Sequence, residues 1–484
     1  MPSKSPAKSP RGETSRFRSV AWGLFGAVCV LALTFYGWAA RSEVPQISGT
    51  NNPADAYYNL LVDGLRAGQL NLKKEVPPGL KTLADPFDPS ANAAYRTRGR
   101  LHDLSYYNGK LYLYFGITPA LVLFWPYEAL THHYLFHKQA VAIFSMMGFI
   151  ASVALLVAIL RRYFPERGAG FAAAGALALG FATTVPAMVQ RPDVYEVTIS
   201  CAYAMVMLAL LFLWQALHDQ PRTDLWLALA SLAFGLAVGA RPNILFGAVI
   251  LLIPLLRERP SASAQDERRW RTFTRSFFAA IGPLFMIGLG LLLYNYLRFG
   301  NPLEFGQHYQ LSGRRRADLQ NLFSLKYLWF NLRIYFLQPV YWSASFPFVK
   351  GFAAPGAPRG QLGVENVFGV LPNIPLVGMG LAAPLAWKSR AGSPGGSLRL
   401  FGIALFLLFL SSATVLCFFA GAAIRYEVDF VPVLVMLALL GVLGLERAVV
   451  AKPPWRLLVR CAWLALLFFS TTADLLISLH LGDN

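Results

Sequence analysis

The charged and reactive side chains of this sequence are few, and they stand in short clusters at the edges of apolar runs. The first cluster is Asn52-Pro53-Ala54-Asp55. Asn52 is a good helix N-cap, Pro53 suits the first helical position and Gly68 ends the pattern, so a short helix is expected between them. Tyr57, Leu61 and Leu65 fall on one face and Asp55, Asn59 and Asp63 on another. Such a helix should lie on a membrane surface, with Tyr57 and Tyr58 in the interfacial belt. Asp55 is then either a third-position carboxylate completing the cap or a general base held just above the bilayer. Spacing leaves the two even.

Three further clusters each hold an arginine: Arg191-Pro192-Asp193-Val194-Tyr195-Glu196, Arg241-Pro242-Asn243, and Arg425-Tyr426-Glu427 with Asp429. A charge at the end of an apolar helix faces a cavity or another charge, because lipid exposure is costly. Pairing of Arg191 with Asp193 or Glu196 and a substrate role are equally open. In a later polar stretch Glu304, His308, Tyr309 and Gln310 have the chemistry to contact a sugar, and Arg314, Arg315 and Arg316 that to contact a phosphate or anionic lipid headgroups. Asn108-Gly109 between tyrosines signals a type I′ hairpin that would project Lys110 to headgroup level. Asp103 beside it is a second acid or an ordinary turn residue. Cations above apolar walls suit a lipid-linked phosphate, whose head is anionic and whose tail stays in the bilayer.

Other chemistries find no support. There is no P-loop, Ser-His-Asp order or zinc motif, and nothing points to nucleic acid. Cys29, Cys201, Cys417 and Cys461 all fall inside apolar runs and read as small buried residues. His132, His133 and His137 fit one helical face without a carboxylate at matching spacing, which favours an interfacial polar cluster over a metal site.

The elements that must position these residues are membrane spans. The chain has 484 residues, 56% hydrophobic and 14% charged, against about 25% charged in soluble domains. Its apolar blocks run to roughly 17–25 residues, enough to cross a bilayer. Spans are expected at 20–40, 139–160, 168–188, 194–217, 225–240, 242–256, 276–297, 366–387, 400–420, 428–445 and 457–479. The first exceeds the apolar core of a signal peptide and is expected to remain as an anchor. Leu111–Leu130 is apolar too, but counting it as a span would send Arg161, Arg162 and Arg167 outside, against the positive-inside rule. With Pro119, Pro126 and Glu128 it reads as a re-entrant or interfacial helix.

The fold expected is an all-α polytopic membrane protein with about eleven transmembrane helices and two long outer loops, 41–137 and 298–365, carrying amphipathic surface helices. A basic disordered cytoplasmic tail over 1–19 precedes a membrane core over 20–297, and further spans fill 366–484. The net charge is +18. The topology divides the basic residues nearly evenly between the two faces; orientation explains the inner set, and the outer set needs a partner.

In its order of features the chain resembles the GT-C superfamily of integral membrane glycosyltransferases, particularly the protein-mannosyltransferase and aminoarabinose-transferase-like branch that uses polyprenyl-phosphate sugars. Pro53-Ala54-Asp55-Ala56-Tyr57-Tyr58 through Gly68 is similar to that family's first outer loop, and Tyr112–Leu130, with Gly116-Ile117-Thr118-Pro119, to its second surface helix. Asp193, Gly239-Ala240-Arg241, the long loop after the seventh span and Arg425-Tyr426 complete the likeness. One departure is that the family's adjacent acidic pair is reduced here to Asp55-Ala56, which argues against a metal held by neighbouring carboxylates. No cofactor is expected, and a divalent metal stays open without a motif to support it.

The resemblance implies a catalytic core at 20–297 in the cytoplasmic membrane, with the N-terminus inside and the active site on the periplasmic face. An outer-face acceptor (glycan, lipid or protein), activated by Asp55, would displace the lipid phosphate with inversion. Arg241, Arg425 and Lys110 would contact the phosphate, and Asp193, Glu304 and His308 the sugar or acceptor, beside Arg191 and Tyr426. The rival readings are an O-antigen polymerase or ligase and a non-enzymatic transporter or lipid flippase. The latter predicts charges near mid-membrane and internal repeats, whereas here charges cluster at span ends and no repeat is found.

Overall fold

The computed structural model describes residues 10–41, 52–97, 100–257, 267–314, 322–351, 355–387 and 395–482. It is helical throughout its membrane part. The long helices are α1 (Pro10–Ala39), α4 (His137–Tyr163), α6 (Val194–His218), α7 (Thr223–Ala240), α8 (Glu267–Phe299), α9 (Gly395–Phe418), α10 (Val431–Ala448) and α11 (Pro453–Gly482), numbered to leave room for α2 (Tyr57–Arg66), α3 (Trp125–Thr131) and α5 (Ala169–Phe181). Each of the eight contains a stretch long and apolar enough to cross a bilayer. Three shorter apolar helices, α5 and the 3-10 segments Pro242–Arg257 and Pro375–Trp387, fall on the remaining expected spans. Helix α1 begins at Pro10, inside the stretch expected as a tail; residues 1–9 lie outside the described residues.

Packing follows side-chain size and polarity. Helix α6 lies between α4 and α7, and 83% of its apolar window is buried, against 11% for α1 and for α8. So α6 is central and α1 and α8 present apolar faces outward, as lipid solvation allows. Helix α10 crosses Pro375–Trp387 so closely that a Cβ at Gly441 would collide with the Met379 carbonyl oxygen. Small residues at such crossings let backbones approach in a membrane, where water drives no association between helices.

On one side of the bundle the two long loops form a layer. Strands β1 (Ser105–Tyr107) and β2 (Lys110–Tyr112) pair as the expected hairpin, and Asn108 (φ 47°) and Gly109 (φ 73°) take the positive φ that a type I′ turn requires. The second loop joins this hairpin: the Leu311 amide donates to the Leu104 carbonyl (2.8 Å) and the Asp103 amide to that of Leu311 (3.0 Å). Two further pairs follow, β3 (Tyr341–Trp342) with β4 (Val349–Lys350), antiparallel, and β5 (Gly363–Glu365) with β6 (Gly421–Ala423), parallel.

Several local expectations are corrected. The Asn52 side chain caps a 3-10 turn, Pro53–Asp55, and α2 starts afresh at Tyr57. Tyr57 and Tyr58 are buried and donate to the carbonyls of Arg100, His102 and Gly116 at 3.0 Å, so they brace the loop layer from within. Asn59, assigned to the polar stripe, is buried because its amide satisfies the carbonyls of Pro53 and Leu135 (2.7 and 2.8 Å). In Leu111–Leu130 the helix is confined to a π-turn, Ala120–Phe124, leading into α3, which is tied to α2 by an Arg66–Glu128 ion pair.

Candidate functional site

Under the loop layer lie two cavities that share a wall. The first, a polar chamber of about 570 Å³, is built around the start of α6. Asp193 is the N-cap, accepting from the Val194 amide at 2.7 Å, and Glu196 reaches back to the Asp193 amide at 3.1 Å. This is a capping box, so these two carboxylates first do a structural job. Glu196 also faces the Arg425 guanidinium (3.7 Å), which is clamped on its other side by Glu365 of β5. The Arg425 guanidinium stacks over Tyr195 and Tyr426 at 5.0 and 5.3 Å.

Asp103 completes the inner wall. It sits at φ 59°, in the left-handed region, and accepts a hydrogen bond from the Tyr195 hydroxyl. Burial pushes its carboxyl above the usual range, against the pull of His102, the Tyr195 hydrogen bond, Arg96 and Arg425. At the rim stand Arg191 and Arg314, both exposed. Burial works against the charge of Glu365, but Arg425, Arg191 and Arg314 hold its carboxyl below the usual range.

The second cavity, about 900 Å³, is an apolar groove between α8, α9 and the start of the 3-10 segment Pro242–Arg257, walled by Phe115, Phe246, Leu291, Phe305, Phe323 and Val415. Tyr114 and Gln307 line both cavities. Gly116 makes the close approach that sets this junction: a Cβ there would collide with the carbonyls of Gly239 and Ala240 at the end of α7.

One charge sits in the groove wall. Arg298, at the end of α8, is 6% exposed. Its Nη1 donates to the Leu113 carbonyl (2.9 Å) and its Nη2 to Asn295 Oδ1 (2.6 Å), while the guanidinium lies 3.9 Å from the Tyr294 ring centroid. Its Nε has no hydrogen-bond partner, and among the described residues no carboxylate lies within ion-pair distance of it, although Glu304 acts on its charge from farther off. Sequence reasoning missed this residue, taking it as the first of a polar loop; the signal was a lone Arg one helical turn after Tyr294-Asn295.

Of the residues expected at the site, the structure brings Arg191, Asp193, Arg425 and Tyr426 together in the chamber. Arg241 lines the junction between the cavities but is bound to Asp429 at 2.8 Å, which Asn243 also contacts. The others lie elsewhere. Asp55 is exposed and lines neither cavity, because the chain turns outward through the Pro53–Asp55 turn before α2 dives under the loops. Lys110 is exposed on the hairpin. Glu304 and His308 bond each other at 2.6 Å, and Glu304 also receives the Gly306 amide, so they close their own loop. Arg315 and Arg316 lie outside the described residues. The expected histidine cluster is split: His132 and His133 are exposed, whereas His137 is buried 4.0 Å from Asp193. Among the described residues no three His, Cys, Asp or Glu side chains gather as a metal site would need.

The sequence profile of a family of unknown function, DUF6541, matches residues 130–351. No curated protein matches the chain. Among solved structures it is similar to the Archaeoglobus fulgidus oligosaccharyltransferase in its apo form, at 13% identity and TM-score 0.46, over 94% of this chain and 56% of that one. It is also similar to ArnT from Cupriavidus metallidurans bound to undecaprenyl phosphate, at 13% identity and TM-score 0.42, over 98% of this chain and 76% of that one. The chain thus spans little more than half the length of the oligosaccharyltransferase.

Proposed function

We propose that this chain is a membrane glycosyltransferase that moves a sugar from a polyprenyl-phosphate donor to an acceptor at the membrane face where the chamber opens. The observation that carries this reading is the junction: a polar chamber and an apolar groove share Tyr114 and Gln307, and the groove wall holds a buried cation with no carboxylate in direct ion-pair contact among the described residues. An uncompensated buried charge is costly. A ligand with an apolar chain and an anionic head would fill the groove and supply the missing counter-charge. In this reading the phosphate lies against Arg298, whereas Arg241 and Arg425, already neutralised by Asp429, Glu196 and Glu365, orient the walls.

The sugar then projects past Tyr114 and Gln307 into the chamber, where the acceptor waits. A hydroxyl or amine of the acceptor attacks the anomeric carbon, the bond from that carbon to the phosphate oxygen breaks with its electron pair leaving on the phosphate, and the proton goes to a carboxylate. A single displacement inverts the anomeric centre. Asp103 suits the base role better than Asp55, because it lines the chamber and burial raises its carboxyl above the usual range. The periplasmic face of the cytoplasmic membrane, with the N-terminus inside, remains the location this reading adopts from loop charges.

The test is release of polyprenyl phosphate from a panel of polyprenyl-phosphate sugars in proteoliposomes, comparing Asp103→Asn with Asp55→Asn at equal membrane content. Loss of turnover in Asp103→Asn with retention in Asp55→Asn is expected. The reverse pattern returns the base to Asp55, and no release from any donor by the unmodified protein overturns the function.

A further inference from the structure

Between Arg333 and Lys350 no residue is charged, and the stretch Val340-Tyr341-Trp342-Ser343-Ala344-Ser345-Phe346-Pro347-Phe348-Val349 is rich in aromatic side chains. Strands β3 and β4 fold it into a hairpin on which Trp342, Phe346 and Phe348 are 50%, 66% and 45% exposed. So much aromatic surface at the tip of a loop is unfavourable in water.

Contacts with α11 set the depth of the hairpin. Counting from the inner arginine Arg460 to His480, α11 covers about 30 Å at 1.5 Å per residue, the thickness of a bilayer core. Gly351, just after the hairpin, adjoins the His480 ring at the loop-side end of that interval. Val349 packs with Ile477 and Leu481. The Trp342 ring lies 6.4 Å from that of Phe469, which is about 17 Å inward from His480 along the helix. Phe469 and its neighbour Phe468 are 41% and 72% exposed, on the lipid-facing surface of the span. The hairpin therefore runs down the outside of α11, and its exposed aromatics continue that surface.

Within the tip, three of the five backbone amides are paired internally. The Ser343 amide donates to the Phe348 carbonyl and the Phe348 amide to the Ser345 carbonyl, both at 2.7 Å. The Ser345 amide turns to Ser343 Oγ (3.3 Å), the two serine hydroxyls meet at 3.2 Å, and Pro347 has no amide hydrogen to satisfy. Internal pairing of this kind lowers the cost of placing a polar backbone near hydrocarbon. Lys350 at the mouth is exposed, where an ammonium meets lipid headgroups.

We propose that the hairpin tip, Ser343–Phe348, is inserted among the lipid acyl chains of the leaflet on the chamber side and fastens the second loop to the bilayer. The same loop continues to Leu362, Gly363 and Glu365 in the chamber wall, so the anchor fixes that wall relative to the membrane.

The experiment uses full-length protein with Cys29, Cys201, Cys417 and Cys461 replaced by Ala, carrying Phe346→Cys or the near-isosteric Ser345→Cys, labelled with bimane and reconstituted in phosphatidylcholine–phosphatidylglycerol vesicles. Both labels should lose most of their fluorescence to lipids bearing a doxyl group on the acyl chain and little to aqueous iodide. A Ser90→Cys label on the first loop should show the opposite pattern. Quenching of the Ser345→Cys label by iodide and not by doxyl lipids would overturn the proposal, whether or not the Phe346→Cys protein folds.

Discussion

Replacing Arg298 by Met, which keeps length and much of the volume, separates a ligand-binding cation from a structural brace. The guanidinium makes two charge-assisted hydrogen bonds, to the Leu113 carbonyl and Asn295, each contributing about 1.5–3 kcal/mol. Stacking on Tyr294 and Phe299 (3.9 and 4.7 Å) adds about 1–2 kcal/mol. Against these stands the desolvation of a full charge with no carboxylate in direct contact and only the more distant Glu304 to offset it, also several kcal/mol. The two sides nearly cancel, so Arg298→Met should change stability by no more than about 2 kcal/mol in either direction. A polyprenyl phosphate in the groove changes the balance, because the cation then gains its partner. Truncating one member of a buried, hydrogen-bonded charge pair costs about 2–5 kcal/mol, or about 30- to 4,000-fold in affinity. Native mass spectrometry with a polyprenyl monophosphate measures the second quantity, and thermal unfolding in detergent without lipid measures the first. The expected result is an almost unchanged unfolding temperature with the lipid-bound species lost. A large fall in unfolding temperature with lipid binding retained would refute the reasoning and make Arg298 a brace between α8 and the first loop.

Three other perturbations follow from the chamber and the packing. Tyr195→Phe removes a hydrogen bond that holds the Asp103 carboxyl down against burial; since a base must be ionised, the acid limb of the pH–rate profile should move to higher pH, and an unmoved limb would remove Asp103 from catalysis. Glu365→Gln takes away the carboxylate that neutralises Arg425, Arg191 and Arg314; because Glu365 is half exposed the cost in stability should be below about 1 kcal/mol, while inorganic phosphate should bind the chamber more tightly by isothermal titration. Gly441→Ala forces a methyl group against the Met379 carbonyl and should destabilise the α10 crossing by about 1–3 kcal/mol in a thermal unfolding assay.

The features legible in the sequence were those set by local chemistry. The type I′ turn was readable because Asn-Gly is among the few dipeptides that accept two successive positive φ angles cheaply, and both residues adopt them. The apolar helices were readable because lipid selects length and composition directly. Asp193 was readable as a charge at the head of α6, but its spacing to Glu196 went unread as the capping box it encodes. What failed depended on contacts between distant segments. Asn59 looks like one step of a polar stripe until the Leu135 carbonyl, 76 residues on, claims it. Glu304 and His308 carry sugar-binding chemistry but satisfy each other across a helical interval. Arg298 is fixed by Leu113, 185 residues away, a separation no local pattern encodes.

The excess of cations takes on a different meaning once each is assigned a partner. In the interior positive charge is matched: Arg241 by Asp429, Arg425 by Glu196 and Glu365, and Arg167 by Glu446, which also receives the Trp463 indole at 2.9 Å. Each of these acids is at least partly withdrawn from water, so each pair exchanges hydration for mutual attraction and reports on assembly more than on ligand. Exposed cations such as Arg191 and Arg314 keep their hydration and report little by position alone. A guanidinium that is buried, oriented by a carbonyl far off in sequence and left without a direct ion-pair partner is a different case. Its charge cannot be shed, since an Arg does not deprotonate in proteins, so hydrogen bonds, ring stacking and the more distant Glu304 must offset its burial at the wall of the apolar groove. Net charge therefore points to the membrane, but only the unbalanced buried charge points to the anion that would occupy the groove.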